Sequence, residues 1–155
     1  MLQIKKERSK SPGYRAARIF RTSACLLDRE LAVLGLCHGQ IPYLVTLLEN
    51  EGSTQDELAA HIRVNRAATA RTLKGMEKAG LVTRKENPEN RRQNLVYLTD
   101  KSKEVIEDVL AILDAHNNRM LNGFSKEEKA LLLSLMDRVI DNVDSAIQEG
   151  CNDHG

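Results

Sequence analysis

The 155 residues predict a mainly α-helical chain with one small β-hairpin, on three observations. Apolar residues recur at alternating spacings of three and four along most of the length, the period of helices buried on one side. Between residues 81 and 99 that period gives way to alternation, the period of a strand. Aromatic residues are only 3% and tryptophan is absent, so the core is aliphatic and a site built of stacked aromatic platforms is disfavoured.

The first helix is expected over residues 14–36, where Phe20, Ala24, Leu27, Leu31 and Leu34 form one stripe. Gly35 and Gly39 interrupt the chain. Ile41, Leu44, Val45 and Leu48 then make a shorter stripe, with Pro42 near its start, where a missing N–H costs little. Thr54-Gln55-Asp56-Glu57 has the form of a capping box and opens a short helix with Leu58, Ala59 and Ile62 inward. Only Arg63 and Val64 separate it from Asn65, a good N-cap for a fourth helix reaching about Lys78, with Gly80 where a C-terminal glycine belongs. Two helices joined so tightly form a helix-turn-helix. Residues 81–86 and 95–99 read as strands linked by a connector rich in Asn and Pro. A long helix from Thr99 or Asp100 to about Asn122 carries Ile106, Val109 or Leu110, Leu113 and Met120 on one side. Gly123 breaks it. Ser125-Lys126-Glu127-Glu128 is a second capping box, and Leu132, Leu135, Met136, Val139, Val143 and Ile147 form the last stripe. The whole reads as a winged helix-turn-helix over residues 39–99 on a helical frame, residues 14–38 and 100–148, with a basic arm at 1–13 and a polar tail at 149–155.

The formal net charge is +1, which taken alone argues against a nucleic-acid partner. Its distribution is uneven: +6 over residues 1–21, −5 over 22–60, +7 over 61–103 and −7 over 104–155. Salt screens fields beyond about 8 Å, so the local block matters more than the total. On the fourth helix Arg66, Ala67, Ala70, Arg71 and Lys74 face away from Thr69, Thr72, Leu73 and Met76. Small side chains permit approach and long cationic ones reach guanine edges or phosphates, the combination a helix entering the major groove needs. A solvated surface helix also carries cations; the helix-turn-helix before this one favours the first reading. Gly75 weakens the helix by about 1 kcal/mol relative to Ala, for close packing or a slight bend. Arg91 and Arg92 sit at the hairpin tip, where a guanidinium on a narrow ribbon can enter the minor groove. Thr54, Gln55, Asn65, Ala68 and Arg84 complete the candidate DNA-binding set.

Residues 55–58, Asn65-Arg66-Ala67-Ala68-Thr69-Ala70-Arg71, Ala79-Gly80-Leu81-Val82, and Asn87-Pro88-Glu89-Asn90-Arg91-Arg92 ending in Leu98-Thr99 resemble the MarR family of bacterial and archaeal repressors. The resemblance spans about residues 20–148 and is most specific in the wing. It implies a homodimer with interlocked terminal helices that presents two winged helices to a pseudo-palindromic operator in double-stranded DNA. It places Arg66, Ala67, Ala68, Arg71 and Lys74 on the reading helix and Arg91 and Arg92 in the wing. It also implies release by a small aromatic acid or by cysteine oxidation. The chain departs from the family where Asn87 and Asn90 replace the usual aspartates. An Asp can orient a wing arginine through a charged hydrogen bond, and Asn does so more weakly. The competing class is a winged helix that binds proteins rather than DNA.

Cys25, Cys37 and Cys151 are an odd number without framework spacing, as expected of a reduced, cytoplasmic protein. Cys37 and Cys25 are the redox candidates: Cys37 lies beside His38 and before a helix, whose N-terminus favours the thiolate, while Cys25 lies mid-helix near the apolar stripe. Small packing residues are the other reading of both. Arg15, Arg18 and Arg21 can pair the carboxylate of an acidic effector or simply be solvated. No apolar run nears the roughly 20 residues of a membrane span, and none of signal-peptide length follows the charged start. The four histidines lack metal spacing, and neither Cys-x-x-Cys nor a phosphate-binding glycine loop occurs, so no cofactor and no enzyme are expected.

Overall fold

Helix α1 (Pro12–Leu31) opens at Ser11, whose hydroxyl accepts the Tyr14 N–H at 3.1 Å, with proline in the first turn. It stops short of the expected end. A 3-10 turn (Ala32–Leu34) and Gly35, at φ +69°, reverse the chain so that Leu31 and Leu36 are both buried. A second 3-10 turn (His38–Gln40) leads into α2 (Ile41–Glu49), followed by β1 (Ser53–Thr54), α3 (Gln55–Ile62) and α4 (Arg66–Lys78). Then come β2 (Val82–Glu86), β3 (Asn94–Leu98), α5 (Asp100–Met120) and α6 (Lys126–Asn152). The computed structural model describes residues 10–152, and the chain divides after His116 into two compact units. Residues 1–9 of the expected arm, residues 153–155 of the expected tail and the side chain of Cys151 lie outside the described residues. Helix extends into both segments, from Pro12 at one end and to Asn152 at the other.

The fold class is as read from the sequence, with one addition. The hairpin is part of a three-stranded antiparallel sheet of order β1-β3-β2, in which Ser53 pairs Val96 and Val82 pairs Leu98. A strand of two residues has no period, so sequence pattern cannot reveal β1. The core of the first unit is aliphatic: Leu44 and Leu47 of α2, Leu58 of α3, Leu73 and Met76 of α4, Val96 and Leu98 of β3, and Val109 of α5. Between the two α5 candidates, Val109 is buried and Leu110 is exposed.

The connections are set by local hydrogen bonds. Thr54 and Glu57 form the expected capping box, with Glu57 N–H donating to Thr54 Oγ1 (3.2 Å) and Thr54 N–H to Glu57 Oε2 (2.7 Å). Arg63 adopts φ +58°, and the Val64 N–H donates to Ala59 O at 3.0 Å, ending α3 abruptly enough to start α4 two residues later. At the far end of α4, Gly80 at φ +72° turns the chain into β2. Residues at the start of α5 hold that corner: Thr99 Oγ1 donates to Gly80 O (2.7 Å), Lys101 Nζ to Ala79 O (2.8 Å), and Ser102 Oγ to Leu81 O.

In the second unit, α6 has 27 residues, and its apolar side chains Leu131, Val139, Val143 and Ile147 are all more than half exposed. Among the described residues no single helix is long and apolar enough to cross a membrane.

The capping box carries a pH dependence of definite sign. Hydrogen bonds from the Thr54 backbone, then from its hydroxyl, hold the Glu57 carboxyl below its ordinary 4.5. Stabilisation of this kind is complete above the unfolded-state pKa and fades as pH falls through the folded-state value. Glu57→Gln should therefore be less stable than the parent at pH 7, by no more than about 1 kcal/mol because the group is exposed. Urea midpoints of the two proteins should converge as pH falls below about 4.3.

Candidate nucleic-acid interface

Helix α4 is divided as its sequence predicts. Thr69, Leu73 and Met76 are fully buried, and the Tyr43 hydroxyl donates to Thr69 Oγ1 at 3.1 Å, pinning α4 to α2. Arg66, Ala67, Arg71 and Lys74 are exposed on the opposite side, with Ala68 and Ala70 half-buried at its margins. Asn65 Oδ1 accepts the Ala68 N–H at 2.8 Å, so both residues serve first to start the helix. A Cβ placed on Gly75 would meet nothing within 4 Å, so packing inside the subunit does not require the glycine there.

Thr54 lies at the floor of a groove rather than on the open surface. It is buried, and its hydroxyl both accepts from Glu57 N–H and donates to Glu57 Oε2 (2.9 Å), leaving nothing to offer a phosphate. Its neighbour Gln55 lines a polar groove of about 210 Å³ together with Arg84, Arg92, Gln93 and Asn94. The fold thus joins the start of α3 to both strands of the wing, residues 29 to 39 positions apart in the chain.

Carboxylates hold three of the candidate arginines. Arg66 Nε lies 3.1 Å from Asp56 Oδ1, Arg84 Nε 3.4 Å from Glu77 Oε2, and Arg91 Nε 3.3 Å from Glu86 Oε1. No acidic partner is found among the described residues for Arg71, Lys74 or Arg92. Sequence reading missed Asp56, Glu77 and Glu86 because their partners are 10, 7 and 5 residues away, spacings no single-helix rule connects. In the wing, Asn87 Oδ1 accepts the Glu89 N–H (3.0 Å) and Asn90 Oδ1 the Arg92 N–H (3.2 Å). Asn90 therefore shapes the wing through the Arg92 backbone, which an amide oxygen does without a charge. Lys85 Nζ lies 4.8 Å from the centre of the Tyr97 ring on the facing strand.

Behind α4 lies a second cavity, of about 540 Å³ and mostly apolar, whose walls include Phe20, Leu27, His38, Ile41, Tyr43 and Thr72. Arg15, Arg18 and Arg21, which can pair an acidic effector or simply be solvated, are not among its walls. His38 N–H donates to Asp28 Oδ1 (2.8 Å), and its Nδ1 lies 2.9 and 3.0 Å from the two carboxylate oxygens. The backbone bond, then the ring bond, holds the Asp28 carboxyl below its usual value. Cys25 and Cys37 are free and exposed, so within this subunit neither is the small packing residue of the alternative reading. Cys37 precedes only a three-residue 3-10 turn, and the ring of its neighbour His38 is turned to Asp28 rather than to the thiol.

The family model described as MarR family matches residues 36–93, the winged segment just described. The uncharacterized HTH-type transcriptional regulator YybA of Bacillus subtilis (strain 168) is 34% identical over 127 residues, covering 81% of this chain and 84% of that protein. Among solved structures, the crystal structure of MarR superposes with a TM-score of 0.80 at 27% identity, covering 90% of this chain and 95% of that one. A putative MarR family regulator from Listeria monocytogenes complexed with 26mer DNA gives 0.80 at 28% identity, covering 86% and 89%.

Two substitutions separate reading from anchoring. Arg71→Ala should cost about 1–3 kcal/mol on a selected duplex and relax its sequence preference; equal losses on selected and random duplexes would make Arg71 a phosphate contact. Arg92→Ala should weaken binding and lower the slope of log K against log salt by about 1. An unchanged footprint beside the major-groove contacts would exclude insertion of the wing.

Proposed function

The chain belongs to the MarR family of transcriptional regulators, and from that premise we propose that it is a cytoplasmic, homodimeric repressor of a pseudo-palindromic operator, released by a small ligand. The protein is a DNA-binding regulator and not an enzyme. The observation that carries the finer reading is α4 itself: one side sealed in the core, the other cationic with small residues between the charges, next to a wing bearing Arg92. The relative from Listeria monocytogenes, complexed with 26mer DNA, supports duplex DNA as the partner.

Pairing of two subunits is supported by apolar surface that water disfavours. Leu131, Val139, Val143 and Ile147 on α6, and Ile19 and Phe20 on α1, are exposed in the single chain, in contiguous stripes that a lone soluble subunit rarely leaves uncovered. A two-fold dimer favours half-sites one helical turn apart, about 10 base pairs centre to centre. Ligand release is supported by the cavity behind α4. Thr72 and Tyr43 line it, and Tyr43 also bonds Thr69, so a ligand filling the cavity acts on the seat of the helix whose far side meets DNA.

Operator selection from genomic fragments followed by footprinting tests the DNA reading. Two protected patches one turn apart are expected, with binding that weakens steeply as salt rises. Indifference to sequence at physiological salt would instead favour a module that binds other partners. Val143→Glu tests the pairing: sedimentation should show a monomer with helical content retained, and operator affinity should fall at least about a hundredfold through loss of the second half-site. A Val143→Glu protein that still sediments as a dimer would remove α6 from the interface.

A further inference from the structure

We infer that Asp56 is a positioning residue for DNA reading: it holds Arg66, at the start of α4, with the far edge of the guanidinium turned outward to a guanine edge. The inference rests on the proposed use of α4 as the helix that meets DNA, and it adds a residue that sets specificity there. Both residues sit in a capped first turn. Asp56 lies between Thr54 and Glu57, whose mutual hydrogen bonds fix the start of α3. Arg66 follows Asn65, whose Oδ1 accepts the Ala68 N–H at 2.8 Å and fixes the start of α4. The two turns bring residues ten positions apart into an ion pair, with Arg66 Nε 3.1 Å from Asp56 Oδ1.

Two observations separate this pair from an ordinary surface contact. The side chains are 78% and 47% exposed, so the pair adds little to stability. Asp56 is also the carboxylate on the wall of the groove it shares with Gln55, Arg84 and Arg92, where a negative charge lowers the attraction for any duplex. What it contributes there is orientation. A guanidinium carries its N–H donors in a fixed fork, and an acceptor seated at Nε takes the edge nearest the chain. The parallel N–H groups of Nη1 and Nη2 then point away from the carboxylate. That edge binds O6 and N7 of guanine together, and the first residues of a reading helix are those that meet base edges. A long side chain held by nothing loses rotamer freedom when it meets a base; Asp56 removes part of that loss beforehand.

The test compares binding to a duplex selected from genomic fragments with binding to an unrelated duplex of equal length, at one salt concentration. Asp56→Ala should bind the unrelated duplex more tightly, since a negative charge is gone, and the selected duplex no more tightly. The ratio of the two affinities should fall by at least about tenfold. Asp56→Asn, which keeps an acceptor oxygen in place, should recover part of the ratio. Arg66→Lys, which keeps the charge without the fork, should lower the ratio as far as Asp56→Ala does, and the two together should lower it no further. Asp56→Asn and Arg66→Lys serve where the alanine variant fails to fold. Equal tightening on both duplexes by Asp56→Ala, or a ratio unchanged by Arg66→Lys, would overturn the inference and leave the reading of α4 standing. If Arg66→Ala and Arg71→Ala both leave the selected duplex bound as before, the DNA reading of α4 fails, and the inference fails with it.

Discussion

The burial of one side of α4 is the constraint on which the rest depends. Leu73 and Met76 have no accessible surface, and truncating a residue of this kind to Ala typically costs about 2–5 kcal/mol of a stability that is itself only about 5–15. Apolar burial is non-directional, however, and in an aliphatic core it fixes depth better than orientation. Orientation comes from a few polar contacts around the helix. Tyr43 bonds Thr69 on its inner side, Asn65 caps its start, and Thr99, Lys101 and Ser102 hold the corner that follows it. Thr99, at the end of the wing, is thus a clamp on the corner that follows α4, although it lies about 20 residues further along the chain.

The electrostatics follow from the same arrangement. The total of +1 hides +6 over residues 1–21 against −5 over 22–60, and +7 over 61–103 against −7 over 104–155. Within the winged helix the fold opposes charges again, pairing Arg66, Arg84 and Arg91 with carboxylates, while among the described residues Arg71, Lys74 and Arg92 have no acidic partner. Net charge describes how such a protein behaves as a colloid; these pairings describe what it presents to a phosphate.

Most of the fold was legible because its elements are amphipathic and capped. The two faces of α4, both capping boxes and the glycine after α4 are local features, and local features are what a linear pattern encodes. The failures share a cause as well. Strand β1 is two residues long, Thr54 looks like a surface hydroxyl until Glu57 is seen to occupy it, and α1 ends early because Gly35 turns the chain to bury Leu36. The cavity was invisible because its walls come from residues 20 to 72, on four helices and a turn. That no lysine or arginine is among those walls is a fact about side-chain placement that no spacing rule reports.

The carboxylates beside the arginines also bear on how the protein finds its target. A chromosome offers on the order of 10⁶ or more competing sites, so time lost on the wrong ones matters as much as final affinity. Asp56, Glu77 and Glu86 are internal rivals to every phosphate the protein meets, and each exposed or half-exposed pair is worth up to about 1 kcal/mol. A phosphate approaching Arg66, Arg84 or Arg91 has to compete with a carboxylate already in place beside the guanidinium.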